Sequence, residues 1–199
     1  MNFILDLLQG VGVGGASGIR PFLPALVTGA LATTDTAVDF DGTAFSFLES
    51  PVFLIVLVFA AAVTVALEQR GKIAEPLGQG LLVIGVILGA LLAAGSLDDR
   101  FDIWWPGLLA GGLAAALLGV ASRQLLGRVR QRLGAEEQSF LMLYAGGAAL
   151  IVTAGSLLFP PLALIAVGVA IWLLVASRKR AGEKYAGLRI LNRLLAKLF

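Results

Sequence analysis

Residues 10–24, GVGVGGASGIRPFLP, interrupt a long apolar stretch near the start of the chain with glycines, an arginine and two prolines. Gly10, Gly14 and Gly18 are four residues apart, so in a helix they share one face. Such a face lets a second helix approach at backbone distance, as in the small-xxx-small pattern of membrane helices. These glycines are therefore predicted to be helix-packing residues.

The second half of this stretch predicts a break in the helix. Pro21 disfavours helical dihedral angles at Arg20, and Pro24 lacks an amide donor. A charged residue inside an apolar segment costs at least ~2.5–3.5 kcal/mol on insertion scales, so Arg20 needs a partner or a wet cavity. The sequence predicts a first segment that is broken or re-entrant near Gly18–Pro21, with Arg20 at the discontinuity.

The composition is that of an integral membrane protein. Of the 199 residues, 58% are hydrophobic and 14% are charged, whereas soluble domains average about 45–50% and about 25%. Histidine and cysteine are absent, which excludes disulfides, metal sites that use these ligands, thiol nucleophiles and histidine acid–base chemistry. We expect one transmembrane domain over residues 1–199, with no cofactor and no metal site.

The rest of the chain alternates between apolar spans and polar ends. Together with the opening segment, residues 5–32, the spans predict an all-α bundle of about six transmembrane helices, or of five plus a re-entrant N-terminal hairpin. The second clear span carries Gly85 and Gly89, again four residues apart, as a further packing face. The predicted spans are 51–67, 77–97, about 104–120, 140–158 and 160–175.

The positions of the basic residues predict the sidedness of the protein. The segments 68–76, 121–138 and 178–199 hold two, four and seven of the 15 lysines and arginines. The positive-inside rule places these segments in the cytoplasm, and the acidic segments 33–50 and 98–102 outside. We therefore expect a multi-pass protein of the inner (plasma) membrane with a cytoplasmic C-terminus. The charges leave the side of the N-terminus open; a single crossing by residues 5–32 is preferred because the segment is long enough.

Two parts of the chain resemble each other. Residues 94–97 and 154–157 both read AGSL, and each is followed by a proline and then by the tripeptide ASR, at 121–123 and 176–178. This pattern predicts two helical hairpins of the same orientation, a symmetry known in transporters. An equally weighted alternative is that the match arose by chance, as happens in apolar sequence.

Arg20, Ser17, Gly18 and Pro21 form the candidate ligand-binding set. A guanidinium beside the N-terminus of a helix that starts at Pro21 favours phosphate, carboxylate or another anion. The alternatives are that Arg20 snorkels to an interface, pairs with an acidic residue (Asp6 or Glu68), or caps carbonyls freed by the break. Asp6 itself either forms a proton-coupled site with Arg20 or lies at the headgroup level.

Two further groups of charges are explained by solvation at segment ends. Glu68 and Glu75 flank Arg70 and Lys72, and we interpret them as a solvated ion-pair cluster, with a gate as the alternative. The short acidic segment 98–102 keeps its connection in water and is not predicted to bind a metal.

Residues 178–199 form a basic cytoplasmic tail. From Tyr185 onward, Arg189, Arg193 and Lys197 recur every four residues beside a stripe of leucines. This pattern predicts an amphipathic helix on an anionic leaflet, so membrane lipids are the expected partners and nucleic acid is not.

At residues 15–24, GASGIRPFLP, the chain resembles a bacterial family of small polytopic membrane proteins catalogued as a domain of unknown function. The resemblance continues through 68–72, 85–94 and 121–123. It implies the same membrane topology and the same emphasis on Arg20, and it supplies no activity or substrate.

Two functional hypotheses follow. The first is a transporter, flippase or channel-like protein for a small or lipid-attached anion. The second is a non-transporting scaffold or assembly subunit that packs through its glycine faces and binds anionic lipid. An enzyme is not expected, because the apolar spans lack a cluster of catalytic side chains. Homo-oligomers fit either hypothesis.

Overall fold

The computed structural model of the chain describes residues 2–34, 38–70, 75–130 and 135–177. These residues form helices and connecting loops, with no strand among them. A short 3₁₀ helix, Ser46–Glu49, precedes the third α-helix. The α-helices are α1 (Phe3–Ile19), α2 (Phe22–Ala32), α3 (Pro51–Gln69), α4 (Glu75–Phe101), α5 (Trp105–Arg130), α6 (Ala135–Leu158) and α7 (Leu162–Ser177). The predicted amphipathic tail with Arg189, Arg193 and Lys197 lies outside the described residues.

Three of these helices are long and apolar enough to cross a membrane. They are Pro51–Gln69, Pro76–Phe101 and Trp105–Val129, with mean hydropathies of 2.4, 2.4 and 1.5. The other apolar helical stretches in the described chain are 10 to 17 residues long: Phe3–Ile19, Phe22–Ala32, the Leu143–Leu158 part of α6, and Leu162–Ser177. The all-helical class and the membrane-type helices are thus confirmed, while the total of six crossings stays a prediction.

The predicted break is present at Arg20 and Pro21. Arg20 has extended backbone angles, φ −139° and ψ 108°, and its N–H donates to Ala16 O, which ends α1. Pro21 has φ −57° and stands at the N-cap of α2. The fixed φ of proline suits the first turn of the new helix, and the residue before a proline is driven to extended angles.

The break reverses the chain, so α1 and α2 form a helical hairpin. Asp6 contacts Arg100, near the end of α4, which defines the Asp6 end of the bundle. Arg20 lies at the opposite end, beside Glu68 of α3. α2 then returns, because Gly29 packs against the carbonyl of Leu48, just before α3 begins. Residues 5–32 thus form two antiparallel helices, as in the hairpin alternative, rather than one continuous helix, and the number of crossings they make stays a prediction.

The centre of the bundle is α1, which packs against α4 and α5 along its length and also contacts α6. A β-carbon on Gly14 would lie 2.6 Å from Gly89 O, and one on Gly85 would lie 2.5 Å from Ser17 O. A β-carbon on Gly18 would overlap the carbonyl of Ala115. The predicted packing glycines on α1 and α4 thus lie in backbone contacts within one chain.

The Asp6 end differs from its prediction in two ways. The segment 98–102, predicted as a short connection, continues α4 to Phe101, and Asp102 follows with φ +51° and donates its N–H to Asp98 O. A left-handed residue after the last turn is a common way to end a helix, and aspartate tolerates that conformation. The segment 38–50 is also more than a solvated loop, because Phe40 is fully buried against Gly95 of α4.

The two AGSL segments occupy comparable places around α1. Ser96 of α4 packs against Gly10, and Ser156 of α6 packs against Gly12, both near the Asp6 end. At the other end, Ser177 of α7 donates a hydrogen bond to Gln124 of α5, with an O–O distance of 2.9 Å. The α4–α5 and α6–α7 hairpins therefore run in the same direction, as the internal repeat predicts.

We predict that Gly18→Ala destabilises the fold by about 1–3 kcal/mol, because the added methyl group must displace backbone of α5. Gly80→Ala is the matched control, since nothing lies within 4 Å of its β-carbon position in α4. Alanine favours a helix interior, so the control should gain up to about 1 kcal/mol. The thermal midpoints of the two purified variants in a mild detergent test this; equal midpoints would contradict the close packing of α1.

Candidate functional site

Arg20 forms an ion pair with Glu68 at the Arg20 end of the bundle. The guanidinium Nη1 donates to Glu68 Oε2 at 2.5 Å, and the two side chains are only 14% and 12% exposed. Of the alternatives for Arg20, the structure shows the pairing with Glu68 and not a pairing with Asp6. The carboxylate also lies in the last turn of α3, where the helix dipole disfavours a negative charge and a basic partner compensates for it.

The surroundings of Arg20 favour negative charge. Arg20 precedes Pro21, the N-cap residue of α2, and the first amide groups of a helix lack acceptors within their own helix. The partial positive charge of that helix start adds to the guanidinium. Glu68 supplies the negative charge that the structure places beside this guanidinium.

A cleft of about 420 Å³ opens beside this ion pair, between α2, α3 and α6. Arg20 and Glu68 lie at its polar end, and its walls include the apolar side chains of Val65, Leu143 and Leu150. Leu143 is 74% exposed, so the cleft is open at the side of the bundle between α3 and α6. The cleft thus combines one ion pair with largely apolar walls.

The cleft gathers only part of the predicted ligand-binding set. Arg20 and Pro21 line it. Ser17 is fully buried, its hydroxyl donates to Val13 O at 3.4 Å, and its backbone packs against α4. Gly18 packs against α5. Neither residue is therefore part of the cleft.

The contribution of α6 to the cleft was not foreseen from the sequence. Gly146 and Gly147 lie on its wall, and a β-carbon on Gly147 would meet nothing within 4 Å. The paired glycines leave space opposite Glu68 and Val65 of α3. The only signal in the sequence was this glycine doublet inside an otherwise apolar span.

A second buried ion pair lies at the Asp6 end. Asp6 is 6% exposed and accepts a hydrogen bond from Arg100, whose guanidinium also lies 3.5 Å from Gln9 Oε1 and 3.9 Å from a carboxylate oxygen of Asp99. Asp6 is therefore buried against Arg100 and does not lie beside Arg20, while its level relative to the headgroups stays a prediction. The reversal at Arg20 is the reason, because it brings the start of α1 to the end of α4.

Three carboxylates of the segment 38–50 also come together. Oxygens of Asp39, Asp41 and Glu49 lie within 4.8 Å of one another. Burial raises the pKa of Glu49, and the hydrogen bond and negative charge of Asp41 raise it further. The sequence marks residues 33–50 as an acidic segment but does not show that these three carboxylates meet in the fold.

One family model matches the chain, over residues 7–180: the family described as a domain of unknown function (DUF4126). The match begins at residue 7, within α1, and extends past the end of α7, so it includes the other α-helices of the described chain in full. It agrees with the resemblance stated above. No curated protein and no solved structure matches the chain.

We predict that Arg100→Ala destabilises the protein by about 3–5 kcal/mol, since it leaves the buried Asp6 carboxylate without its basic partner. Asp6→Ala should cost less, because Arg100 keeps its contacts with Gln9 and Asp99. The double variant should lose less than the two single losses combined. Arg128→Ala, an exposed arginine of α5, serves as the control and should change little. Thermal midpoints of the four variants test this; strictly additive losses would argue against the pair.

A second prediction concerns Glu49. Its raised pKa means that the folded protein binds its proton more tightly than the unfolded chain does, so this carboxyl lowers stability as the pH rises above its ordinary value of 4.5. Glu49→Gln removes the effect and should raise the thermal midpoint at neutral pH. The gain should shrink as the pH is lowered towards 4.5, and a gain that grows on acidification would contradict the assignment.

Proposed function

The chain belongs to the DUF4126 family, and we propose that it is a membrane protein which binds the anionic head of a lipid-like molecule at Arg20 and moves it across the bilayer. The observation that carries this proposal is the lateral cleft that joins the Arg20–Glu68 pair to apolar walls.

The charge at the polar end of the cleft selects an anion. Arg20 supplies a planar fork of N–H donors that matches carboxylate, sulfate or phosphate oxygens. The start of α2 adds its partial positive charge at the same place. Glu68 compensates for this charge while no ligand is bound.

The apolar walls favour an amphiphile over a free inorganic ion. The described walls include Val65, Leu143 and Leu150, which offer a small anion no hydrogen bonds. A volume of about 420 Å³ falls within the usual range for small-molecule sites, roughly 300–1,000 Å³. The side opening between α3 and α6 would let a hydrocarbon chain enter from the bilayer, with its head at Arg20.

The proposed sidedness fits this orientation. With the C-terminus in the cytoplasm of a multi-pass inner-membrane protein, the Arg20 end would face the cytoplasmic leaflet. The head of a lipid in that leaflet would then lie at the level of Arg20, and its chain would point towards the bilayer centre.

We favour transport over the scaffold hypothesis because of where the glycines lie. A scaffold that binds partners through Gly10, Gly14 and Gly18 would need these faces to be free. They are occupied by α4 and α5 of the same chain.

We also propose transport rather than catalysis. The described lining of the cleft contains one carboxylate, Glu68, and one hydroxyl, Thr64, whose Oγ1 donates to Ala60 O at 2.7 Å. Acid–base hydrolysis usually needs a second titratable group or an activated nucleophile.

We expect the protein, reconstituted in vesicles, to move a fluorescent short-chain phosphatidylglycerol from one leaflet to the other. The movement is measured as the fraction of the fluorescent label that dithionite, added outside, can reduce. Arg20→Ala and Arg20→Lys should both reduce the rate to that of empty vesicles, since the site depends on the planar fork. Arg70→Ala is the matched control, because Arg70 is exposed and does not line the cleft.

Two further transport measurements distinguish a lipid-attached anion from a free inorganic anion as the substrate. A labelled phosphatidylcholine should move more slowly than phosphatidylglycerol, and uptake of radioactive sulfate should equal that of empty vesicles. Unchanged phosphatidylglycerol flux in Arg20→Ala would overturn the proposal. Sulfate uptake that depends on Arg20 would replace the lipid-like substrate by a free anion.

A further inference from the structure

We infer that Glu68 is the coupling group of the Arg20 site, and that each monoanionic head bound there brings one proton onto Glu68. This inference rests on the proposed function, because it requires an anion at Arg20. Its structural basis is the ion pair at 2.5 Å between two largely buried side chains at the polar end of an apolar cleft.

Glu68 and an incoming anion would compete for the guanidinium of Arg20. Glu68 Oε2 accepts a hydrogen bond from Arg20 Nη1, the group that an incoming anion would contact. An anion that binds Arg20 therefore displaces the carboxylate or stands beside it. Either arrangement places two negative charges next to one positive charge in a poorly solvated site, which is costly unless one negative charge is neutralised.

Glu68 is the titratable acid among the described side chains that line the cleft. From α2, Phe22 and Leu23 face the cleft, and from α6 the leucines and glycines named above, so neither helix contributes a titratable group to the described lining. From α3, Thr64 and Gln69 are uncharged, which leaves Glu68. Among the described lining residues, Glu68 is thus the acid that can neutralise the added charge.

Uptake of one proton keeps the net charge of the site unchanged when the anion binds. Before binding, the described lining of the site holds one guanidinium and one carboxylate, whose charges cancel. When a monoanion binds, its oxygens accept the Arg20 hydrogen bonds, and a Glu68 carboxylate oxygen takes up one proton from the bulk solution, supplied by hydronium or by the acid form of the buffer. The occupied site holds a guanidinium, the anion and a neutral carboxylic acid, and it is again neutral. Transport by this route would carry the anion and one proton together.

The test uses decyl sulfate as the probe, because its sulfate head carries a fixed charge between about pH 5.5 and 8, so that any pH dependence belongs to the protein. Binding to the full-length protein in zwitterionic lipid nanodiscs is measured against empty nanodiscs. We expect the apparent Kd of the wild type to rise by about tenfold per pH unit, the slope for uptake of one proton.

Glu68→Gln should bind decyl sulfate with an affinity that is independent of pH and at least equal to that of the wild type at the lowest pH. Glu68→Asp retains a titratable group and should restore the slope, which guards against a folding defect in the glutamine variant. Wild-type calorimetry in two buffers of different ionisation enthalpy provides a readout without mutation, and it should give about one proton per sulfate bound.

The outcomes distinguish the two proposals. Wild-type binding that requires Arg20 but shows no pH slope and no proton uptake would overturn the coupling and leave the proposed site intact. Absence of binding at every pH in both the wild type and Glu68→Gln, or binding unaffected by Arg20→Ala, would overturn the proposed site itself. A slope that persists in Glu68→Gln would assign the proton to another group and also overturn the coupling.

Discussion

The fold depends on the contact between the backbone of α1 and the backbones of α4 and α5. Glycines on both sides of this contact bring main-chain atoms together, and β-carbons at Gly14, Gly18 or Gly89 would collide with carbonyl groups. Membrane helices associate mainly through such packing, because lipid offers no hydrophobic driving force between them. The contact fixes the level of α1 in the bundle, and with it the levels of Asp6 within α1 and of Arg20 directly after it.

Those two charges, Asp6 and Arg20, reach opposite ends of the bundle, and their surroundings differ. The Asp6–Arg100 pair is packed beside Gln9, which is also buried, so its charges are satisfied within the protein. The Arg20–Glu68 pair borders a cleft. The two pairs therefore differ in what lies beside them, which is packed side chains at the Asp6 end and a cleft at the Arg20 end.

Local features of the fold could be predicted from the sequence, and features that depend on chain direction could not. The break at Arg20 and Pro21 follows from proline geometry, and the membrane-type character of α3 follows from its apolar run. The ion pairs join residues 48 and 94 positions apart, so their identity depends on the reversal after α1. The charge pattern constrains the loops on either side of a segment and does not distinguish one crossing from a hairpin.

The same distinction explains the candidate site. Arg20 was identifiable because a charge in an apolar segment is costly, whereas the cleft arises from missing side chains on α6 and from the position of α3, which packs mainly on α2 and the 3₁₀ helix. Only Leu57 of α3 is fully buried, so few contacts hold this helix. The bond from Glu68 to Arg20 ties its far end to the α1–α2 turn. An anion that takes the place of Glu68 would remove that tie, so binding at Arg20 and movement of α3 would share one interaction.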